Sequence, residues 1–393
     1  GGDDNLEVAD VLSEIGALHE KLCEYDRALE AHDEVLRIRK ANLDPHAEII
    51  ADTMIEVSKI HVRKGSYDEA LKLLSGVLQW EGDSIDKLRV GDAQFHIGCV
   101  QLFKGEYDNA LQSFERAFEE KSAVLDENDE VLADIYQHMG RVFMEKGFAN
   151  DAHRKEAVPY LTEAIRLLKT KIDRTEEDVA SVMSLEGTLF YCEGEWDNAL
   201  DRLNSASGIL KSLFGKEHER IASLLELRAR IYCEKEAFST AIKLLEDSLA
   251  IRRKLFGFVA NEVGNTLHCL SHVYQVRGMA EEALKHAEEA LQMRKLGLGD
   301  CEKVAATIEM IAFIHLALGD TDGAKASLEE SLQVKNNIYK MSSNDMLAQT
   351  GNSIAQTLCV MGEFLMETGE FDAANQCFLD CLEMRRELLG YDH

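Results

Sequence analysis

Apolar side chains recur along the chain with the period of an α-helix. Leu267, Leu270 and Val273, for example, are spaced so that they share one face of a helix, and mostly polar residues stand between them. Only two prolines occur in 393 residues, so few positions interrupt helical hydrogen bonding. The pattern predicts an all-α chain built from amphipathic helices.

The helical pattern is itself repeated. A glycine, a polar residue, an aromatic residue, an aspartate, a further polar residue and then Ala-Leu recur, most clearly at residues 65–71, 105–111 and 194–200. Self-similarity at such a period is the signature of a helical repeat protein. The alanine marks nine copies at intervals of 40 to 50 residues, at Ala28, Ala70, Ala110, Ala157, Ala199, Ala241, Ala283, Ala324 and Ala374.

A second column of small residues supports the same register. It stands seven residues before each turn glycine or the residue that replaces it. We expect the first helix of each unit (helix A) to cross its own second helix (helix B) there, because large side chains would push the helices apart. The nine positions are Gly16, Ser58, Gly98, Gly140, Gly187, Ala229, Ser271, Ala312 and Gly362.

Each unit is therefore predicted to be helix A, a tight turn, helix B and a connector. Together the units are expected to form one α-solenoid domain over residues 1–393. Extra residues around 148–154 and 340–349 are expected to be loops or helix extensions at repeat junctions. The predicted units are approximately residues 6–43, 46–82, 86–126, 129–172, 177–215, 218–257, 260–299, 302–340 and 350–393.

The small-residue column, the turn glycine and the alanine column resemble the tetratricopeptide repeat. The interval of about 42 residues and the helix-B ending at residues 382–393 resemble the kinesin light chain variety, and residues 213–218 are a looser copy of that ending. This resemblance implies a right-handed superhelix in which helix A lines a concave groove for extended peptides. Kinesin light chains clamp the peptide with paired asparagines on helix A, and no asparagine stands at the matching positions here, for example at Phe95 and His96.

Candidate binding residues lie on the expected groove face of helix A. Lys59, Arg141 and Arg230 stand six residues before the turns, and Arg63 is one helical turn from Lys59. With nearby aromatic residues they predict a partly basic groove that suits an extended segment with acidic and apolar side chains. The alternative is that the arginines pair with glutamates such as Glu226 and only connect repeats. The aromatic candidates are Phe95, Tyr191 and Phe313.

His268 and His272 are four residues apart, which is a metal-ligand spacing on one helix face. Without a third ligand, no metal site is predicted. Glu309 is a candidate partner for His268, and the alternative is that both are ordinary groove histidines. Basic clusters at the ends of helix B, at residues 251–254 and 384–386, are interpreted as helix capping rather than as a binding patch.

The formal net charge of −29 disfavours binding to nucleic acid and to anionic lipid surfaces. The negative charge is consistent with a solvated acidic exterior, or with the binding of basic partners if binding is electrostatic. Nine cysteines without zinc or disulfide spacing predict free thiols in a reducing, cytoplasmic compartment. No apolar run is long enough for a membrane span, and no signal peptide is found.

The predicted function is a scaffold or adaptor that binds an extended or helical segment of a partner protein. No nucleotide-binding glycine loop or nucleophile elbow is present, so neither an enzyme nor a cofactor is predicted. Two alternatives stay open: an architectural subunit that uses its outer surfaces, and the regulatory repeat domain of a larger multidomain protein. The chain ends where another repeat would begin, so a longer natural chain is expected, and exposed repeat ends leave end-to-end stacking open.

Overall fold

A computed structural model of the chain describes residues 5–21, 24–80, 86–146, 151–171, 173–256, 261–341 and 344–389. Throughout these ranges the regular structure is α-helical, and they contain no β-strand. None of the helices in these ranges is long and apolar enough to cross a membrane. The all-α prediction is confirmed.

The helices follow one another with short connections. In chain order they are α1 (Leu6–Lys21), α2 (Tyr25–Asn42), α3 (Glu48–Lys64), α4 (Tyr67–Leu78), α5 (Lys87–Lys104), α6 (Tyr107–Ser122), α7 (Val131–Lys146), α8 (Asp151–Glu156), α9 (Val158–Thr170), α10 (Glu176–Glu193), α11 (Trp196–Phe214), α12 (Glu219–Glu234), α13 (Phe238–Phe256), α14 (Asn261–Val276), α15 (Ala280–Leu298), α16 (Glu302–Leu318), α17 (Thr321–Met341), α18 (Asn344–Glu367) and α19 (Phe371–Leu389).

These helices form nine antiparallel pairs, as the repeat predicts, with α7 and α9 as the fourth pair. The fourth pair contains the extra residues 148–154, and the short helix α8 (Asp151–Glu156) begins within them. This insertion therefore lies between helix A and helix B, and the predicted repeat-junction location is wrong for it. The second insertion does lie at a repeat junction, where α17 and the long α18 extend across most of residues 340–349.

Helix A ends in a left-handed residue that turns the chain into helix B. Gly65 has φ of 83°, and the Ser66 N–H donates to the His61 carbonyl at 2.8 Å, which satisfies a free carbonyl at the end of α3. In the sixth pair Glu236 occupies this position with φ of 56°. The same positive φ is found at Gly105, Gly194, Gly278, Gly319 and Gly369.

The two predicted columns meet where the paired helices cross. All nine alanines of the helix-B column are buried, and so are all nine small residues of helix A. A β-carbon on Gly187 would lie 2.7 Å from Leu203 Cδ2 and 3.3 Å from the Ala199 carbonyl oxygen. The Ser271 hydroxyl similarly donates to the Ala283 carbonyl at 2.8 Å. The predicted close crossing of helix A with its own helix B is confirmed.

The chain divides into two compact units. The N-terminal unit comprises residues 1–103, 107–178 and 192–194, and the C-terminal unit comprises residues 104–106, 179–191 and 195–393. Each has its own core. In the N-terminal unit Phe114 and Ala117 of α6 pack with Ile135 and Met139 of α7. In the C-terminal unit, α15 packs against α16 in the same way. The single-domain assignment stays a prediction.

Candidate protein-binding face of the helix pairs

In the N-terminal unit, α3 carries the first two candidate residues. Lys59 Nζ donates to Glu56 Oε1 at 2.6 Å, and both side chains remain partly exposed. Arg63 is exposed one turn further along α3. Both cations act electrostatically on Glu20, whose pKa is nevertheless raised because burial disfavours its charged form. Both cations therefore belong to a local network of charges, in which Lys59 forms the ion pair and Arg63 stays exposed.

Phe95 on α5 is the centre of an aromatic cluster. Its ring centroid lies 4.8 Å from that of His138 and 5.2 Å from that of His96, both in edge-on geometry. Phe114 packs beneath it at 5.6 Å. Lys121 Nζ lies 5.7 Å from the Phe95 centroid, within cation–π range. The structure thus joins α5, α6 and α7 through one half-buried aromatic surface.

The two histidines of this cluster are neutral at physiological pH. Burial, together with the nearby charges of Lys59 and Lys121, lowers the pKa of His96 to about 3. Burial also lowers the pKa of His138 to about 4. The His138 Nδ1–H donates to the Asp134 carbonyl at 2.8 Å, since a carbonyl can only accept. The histidines therefore extend the aromatic surface of Phe95 without adding charge.

Arg141 lies one turn beyond His138 on α7. Its side chain is exposed, and its guanidinium carbon is 5.8 Å from the centroid of the Phe103 ring on α5. Within the described part of the chain, no carboxylate forms an ion pair with it. Beside it, burial raises the pKa of the Cys99 thiol to about 12, so this thiol stays protonated. Arg141 thus presents an uncompensated cation next to the aromatic cluster.

In the C-terminal unit, Arg230 approaches the two candidate histidines. Its charge and burial together lower the pKa of His272, burial being the larger cause. Burial likewise holds the pKa of His268 well below its usual range. The Arg294 guanidinium lies 3.3 Å from His268 Nδ1, which accepts a hydrogen bond because arginine can only donate. Both histidines are therefore neutral near pH 7.

The remaining two candidates differ in accessibility. Tyr191 is buried, with its ring 5.7 Å from that of Trp196, so it supports the packing of α10 on α11. Phe313 on α16 is 44% exposed and can contact a partner. No group of three or more potential metal ligands occurs among the residues that the structure describes.

Two glutamates on helix A pair with cations on helix B. Glu226 Oε1 accepts from Arg252 Nη1 at 2.6 Å, and Glu309 Oε1 accepts from Lys335 Nζ at 2.7 Å. Glu309 was a candidate partner for His268, and the structure bonds each of them to a different cation, Glu309 to Lys335 and His268 to Arg294. Arg252 is buried between helices, so the interpretation of residues 251–254 as helix capping is wrong for this residue.

Arg252 belongs to a column of buried cations on helix B that sequence reasoning missed. Each stands eleven residues after the column alanine, and four of the five donate to a threonine of the next helix A. Arg252 reaches Thr266 Oγ1 at 2.7 Å, for instance. The sequence does contain a signal for this column, because each of these four cations is followed by a threonine at the matching position of the next helix A. The column comprises Arg39, Lys121, Arg252, Arg294 and Lys335.

Comparison with protein families gives matches along most of the chain. A family model described as Tetratricopeptide repeat matches residues 7–78, 178–254 and 262–337. Two further models with the same description match residues 91–123 and residues 354–393. These matches cover well over half of the sequence. No curated protein matches this chain.

Solved structures share the fold at low sequence identity. A Rap protein complexed with Competence and Sporulation Factor is 13% identical, with a TM-score of 0.58 over 97% of this chain and 99% of that chain. A putative kinesin light chain from Podosopora anserina is 18% identical, with a TM-score of 0.45 over 55% of this chain and 99% of that chain. A signal transduction ATPase from Pyrococcus horikoshii with a tetratricopeptide repeat sensor is 13% identical, with a TM-score of 0.49 over 98% of this chain and 54% of that chain.

Proposed function

We propose that this chain, which belongs to the tetratricopeptide repeat family, binds an extended or helical segment of a partner protein along its A helices. Tetratricopeptide repeats are protein-interaction scaffolds in general. The Rap protein that shares the fold was crystallised with Competence and Sporulation Factor, so this arrangement of helices can hold a bound factor. The proposal assigns the chain the role of a scaffold or adaptor.

The single observation that carries the proposal is the environment of Arg141. Two other partly exposed cations of the N-terminal unit are held in ion pairs, Lys59 with Glu56 and Lys146 with Asp108 at 2.7 Å. Arg141 instead rests near the Phe103 ring without a carboxylate partner among the described residues. In a chain of net charge −29, a cation left uncompensated beside aromatic side chains is suited to a ligand.

The chemistry of this face defines the partner segment. A guanidinium forms two parallel hydrogen bonds with a carboxylate, so Arg141 selects an acidic side chain or a terminal carboxylate. The neutral cluster of Phe95, His96 and His138 offers edge and face contacts to an apolar or aromatic side chain. We therefore propose a segment in which an acidic residue stands near an aromatic or aliphatic one. Phe313 adds a second exposed aromatic contact in the C-terminal unit.

Selection from a random-peptide phage library tests the proposal, because the library samples ligand sequences without requiring that the partner be identified first. Peptides selected on the wild-type chain should be enriched in acidic residues next to apolar ones. Arg141→Glu should weaken their binding by about tenfold or more, since it replaces a charge-assisted pair with repulsion. Fluorescence anisotropy with the selected peptides gives the change in affinity.

Arg116→Glu is the matched control. Arg116 is an exposed arginine on helix B of the neighbouring pair, and its reversal changes the net charge by the same amount. Binding that survives Arg116→Glu and is lost in Arg141→Glu supports the helix-A face. Equal binding by both variants, or selected peptides without acidic residues, would refute it.

A further inference from the structure

The eighth and ninth helix pairs form a groove between their B helices, α17 and α19. The groove has a volume of about 310 Å³. Ligand pockets in proteins have volumes of roughly 300–1,000 Å³, so this groove has room for a small occupant such as one long side chain. Apolar side chains from all three neighbouring helices form its floor, namely Leu332 of α17, Ile354 and Leu358 of α18, and Met384 of α19.

The rim of this groove is polar and mostly acidic. Asp380, Glu383 and Glu387 of α19 line one side, and Asn336 of α17 lines the other, all four being exposed. Asp380 Oδ1 accepts a hydrogen bond from Gln376 Nε2 at 2.7 Å. Among the residues that the structure describes, no cation forms an ion pair with any of the three carboxylates. The space between α17 and α19, here called the acidic groove, thus combines an apolar floor with uncompensated negative charge.

At the two preceding junctions between B helices, a cation of the chain itself occupies the corresponding place. Arg253 of α13 forms an ion pair with Glu289 of α15, and Lys295 of α15 forms one with Glu330 of α17. Both cations stand twelve residues after the column alanine of their own pair, and both glutamates stand six residues after the column alanine of the next. A basic side chain therefore connects successive B helices at both junctions.

The acidic groove lacks this cation and has additional carboxylates. Asn336 occupies the position of the two cations, and Asp380 occupies that of the two glutamates. The positions of Glu383 and Glu387 are uncharged in the seventh and eighth pairs, so two negative charges are added where one positive charge is absent. The uncharged equivalents are Gln292 and Leu296 in the seventh pair, and Gln333 and Asn337 in the eighth.

We propose that the acidic groove binds a lysine or arginine side chain of a partner protein. This side chain takes the place that Arg253 and Lys295 fill at the preceding junctions. Its aliphatic stem covers the apolar floor, and its charged end reaches the carboxylates of α19. An acidic occupant would be repelled by the same carboxylates. The site lies between B helices and selects a basic side chain, so it is separate from the site of Arg141 on helix A, which selects an acidic one.

Fluorescence anisotropy with two defined peptides tests this proposal on the full chain. One fluorescein-labelled nonapeptide carries a single arginine between two leucines, with glycine and serine flanks. The other carries citrulline, an uncharged analogue of similar shape, in place of the arginine. At an ionic strength of about 0.15 M, which screens long-range attraction, the arginine peptide should bind at least about tenfold more tightly. Equal affinity of the two peptides, or no binding of the arginine peptide, would overturn the proposal.

Asn336→Lys fills the acidic groove from within and leaves every carboxylate in place. The new lysine should pair with Asp380 as Lys295 pairs with Glu330, and it should weaken binding of the arginine peptide by about tenfold or more. Asn375→Lys is the matched control, because Asn375 is an exposed residue of α19 outside the groove. Both substituted residues are exposed, so circular dichroism should show unchanged helicity. Binding of wild-type strength by Asn336→Lys, or an equal loss in Asn375→Lys, would contradict binding in the groove.

Removal of the negative charge is the complementary change. Asp380→Asn combined with Glu387→Gln should also weaken binding of the arginine peptide by about tenfold, because its guanidinium loses charged acceptors. Arg141→Glu should change this affinity by less than about twofold, so the two proposed sites can fail independently. Wild-type affinity in the double variant, or a tenfold loss in Arg141→Glu, would refute the assignment of basic side chains to the acidic groove.

Discussion

Five of the nine helix crossings place a glycine on helix A. At each of them, a side chain of helix B occupies the space that a β-carbon would need. These glycines lie inside helices, where the residue lowers stability by about 1 kcal/mol relative to alanine. The closest helix-B side chain always comes from the residue four positions after the column alanine. The glycines are Gly16, Gly98, Gly140, Gly187 and Gly362, and they contact His32, Phe114, Leu161, Leu203 and Phe378.

Two glycines of the fifth pair allow this volume requirement to be measured. Gly187→Ala should lower the free energy of unfolding by about 1–2 kcal/mol, because the new methyl group meets Leu203 and a backbone carbonyl. Gly208→Ala on α11 should instead raise it by about 0.5–1 kcal/mol, because no atom lies within 4 Å of its β-carbon. Urea unfolding followed by circular dichroism checks both. Stabilisation by both substitutions would show that the helix crossing can accommodate an added methyl group.

At the scale of the helices, buried cations connect one pair to the next. Arg252 extends from α13 to Glu226 on α12 and to Thr266 on α14, so one guanidinium joins three helices. The fifth pair makes the equivalent connection with apolar residues, Leu210 and Leu224, which are both buried. The chain thus forms the contact between successive helix pairs in two ways, with buried ionic groups in one place and with apolar side chains in another.

Replacing the ionic contact with the apolar contact of the fifth pair tests what the ionic contact contributes to stability. Glu226→Ser should lower the free energy of unfolding by about 2–3 kcal/mol, because Arg252 stays buried with one fewer carboxylate. Combining it with Arg252→Leu and Thr266→Leu copies the fifth pair, whose matching residues include Ser184, and should recover most of that loss. Chemical denaturation of the single and triple variants measures both changes.

The neighbouring pair Arg253–Glu289 provides the control for this exchange. Both side chains are about one-third exposed, so Glu289→Ala should cost less than about 1 kcal/mol. If Glu226→Ser cost no more than Glu289→Ala, the buried column would have no special role. If the triple variant were no more stable than Glu226→Ser, the apolar solution would not transfer between pairs.

For the molecule as a whole, the sequence predicts the nine helix pairs and their order, but not the short helix α8. These features follow from a period and from small residues at fixed intervals, which are visible without side-chain partners. The helical period did not predict which charges are buried, and the spacing between each of four buried cations and a threonine of the next repeat was a signal that went unused. Arg252 and Arg253 are neighbours in the sequence, yet one is enclosed and the other is a surface residue. That difference depends on which helix faces each side chain.

The candidate binding residues were predicted less completely than the fold. The sequence indicated Arg141 and Phe95, and the structure surrounds them with His96, His138 and Phe103. Tyr191 belongs to the same helix face by register but is buried against Trp196. The position of a residue in the repeat sets the direction in which its side chain points, whereas the exposure of that side chain depends on the size of its neighbours. A face that binds a partner can therefore be located only when the direction and the exposure of its side chains are both known.

Photo-cross-linking of a selected peptide, with the adducts located by mass spectrometry, tests the proposed site most directly. The peptide should carry a photoreactive group next to its acidic residue. We expect adducts on α5 and α7 around Phe103, His138 and Arg141, and no adducts around Arg116 on α6. Adducts confined to α6 and the other B helices would contradict binding along the A helices and would assign partner binding to the outer surfaces.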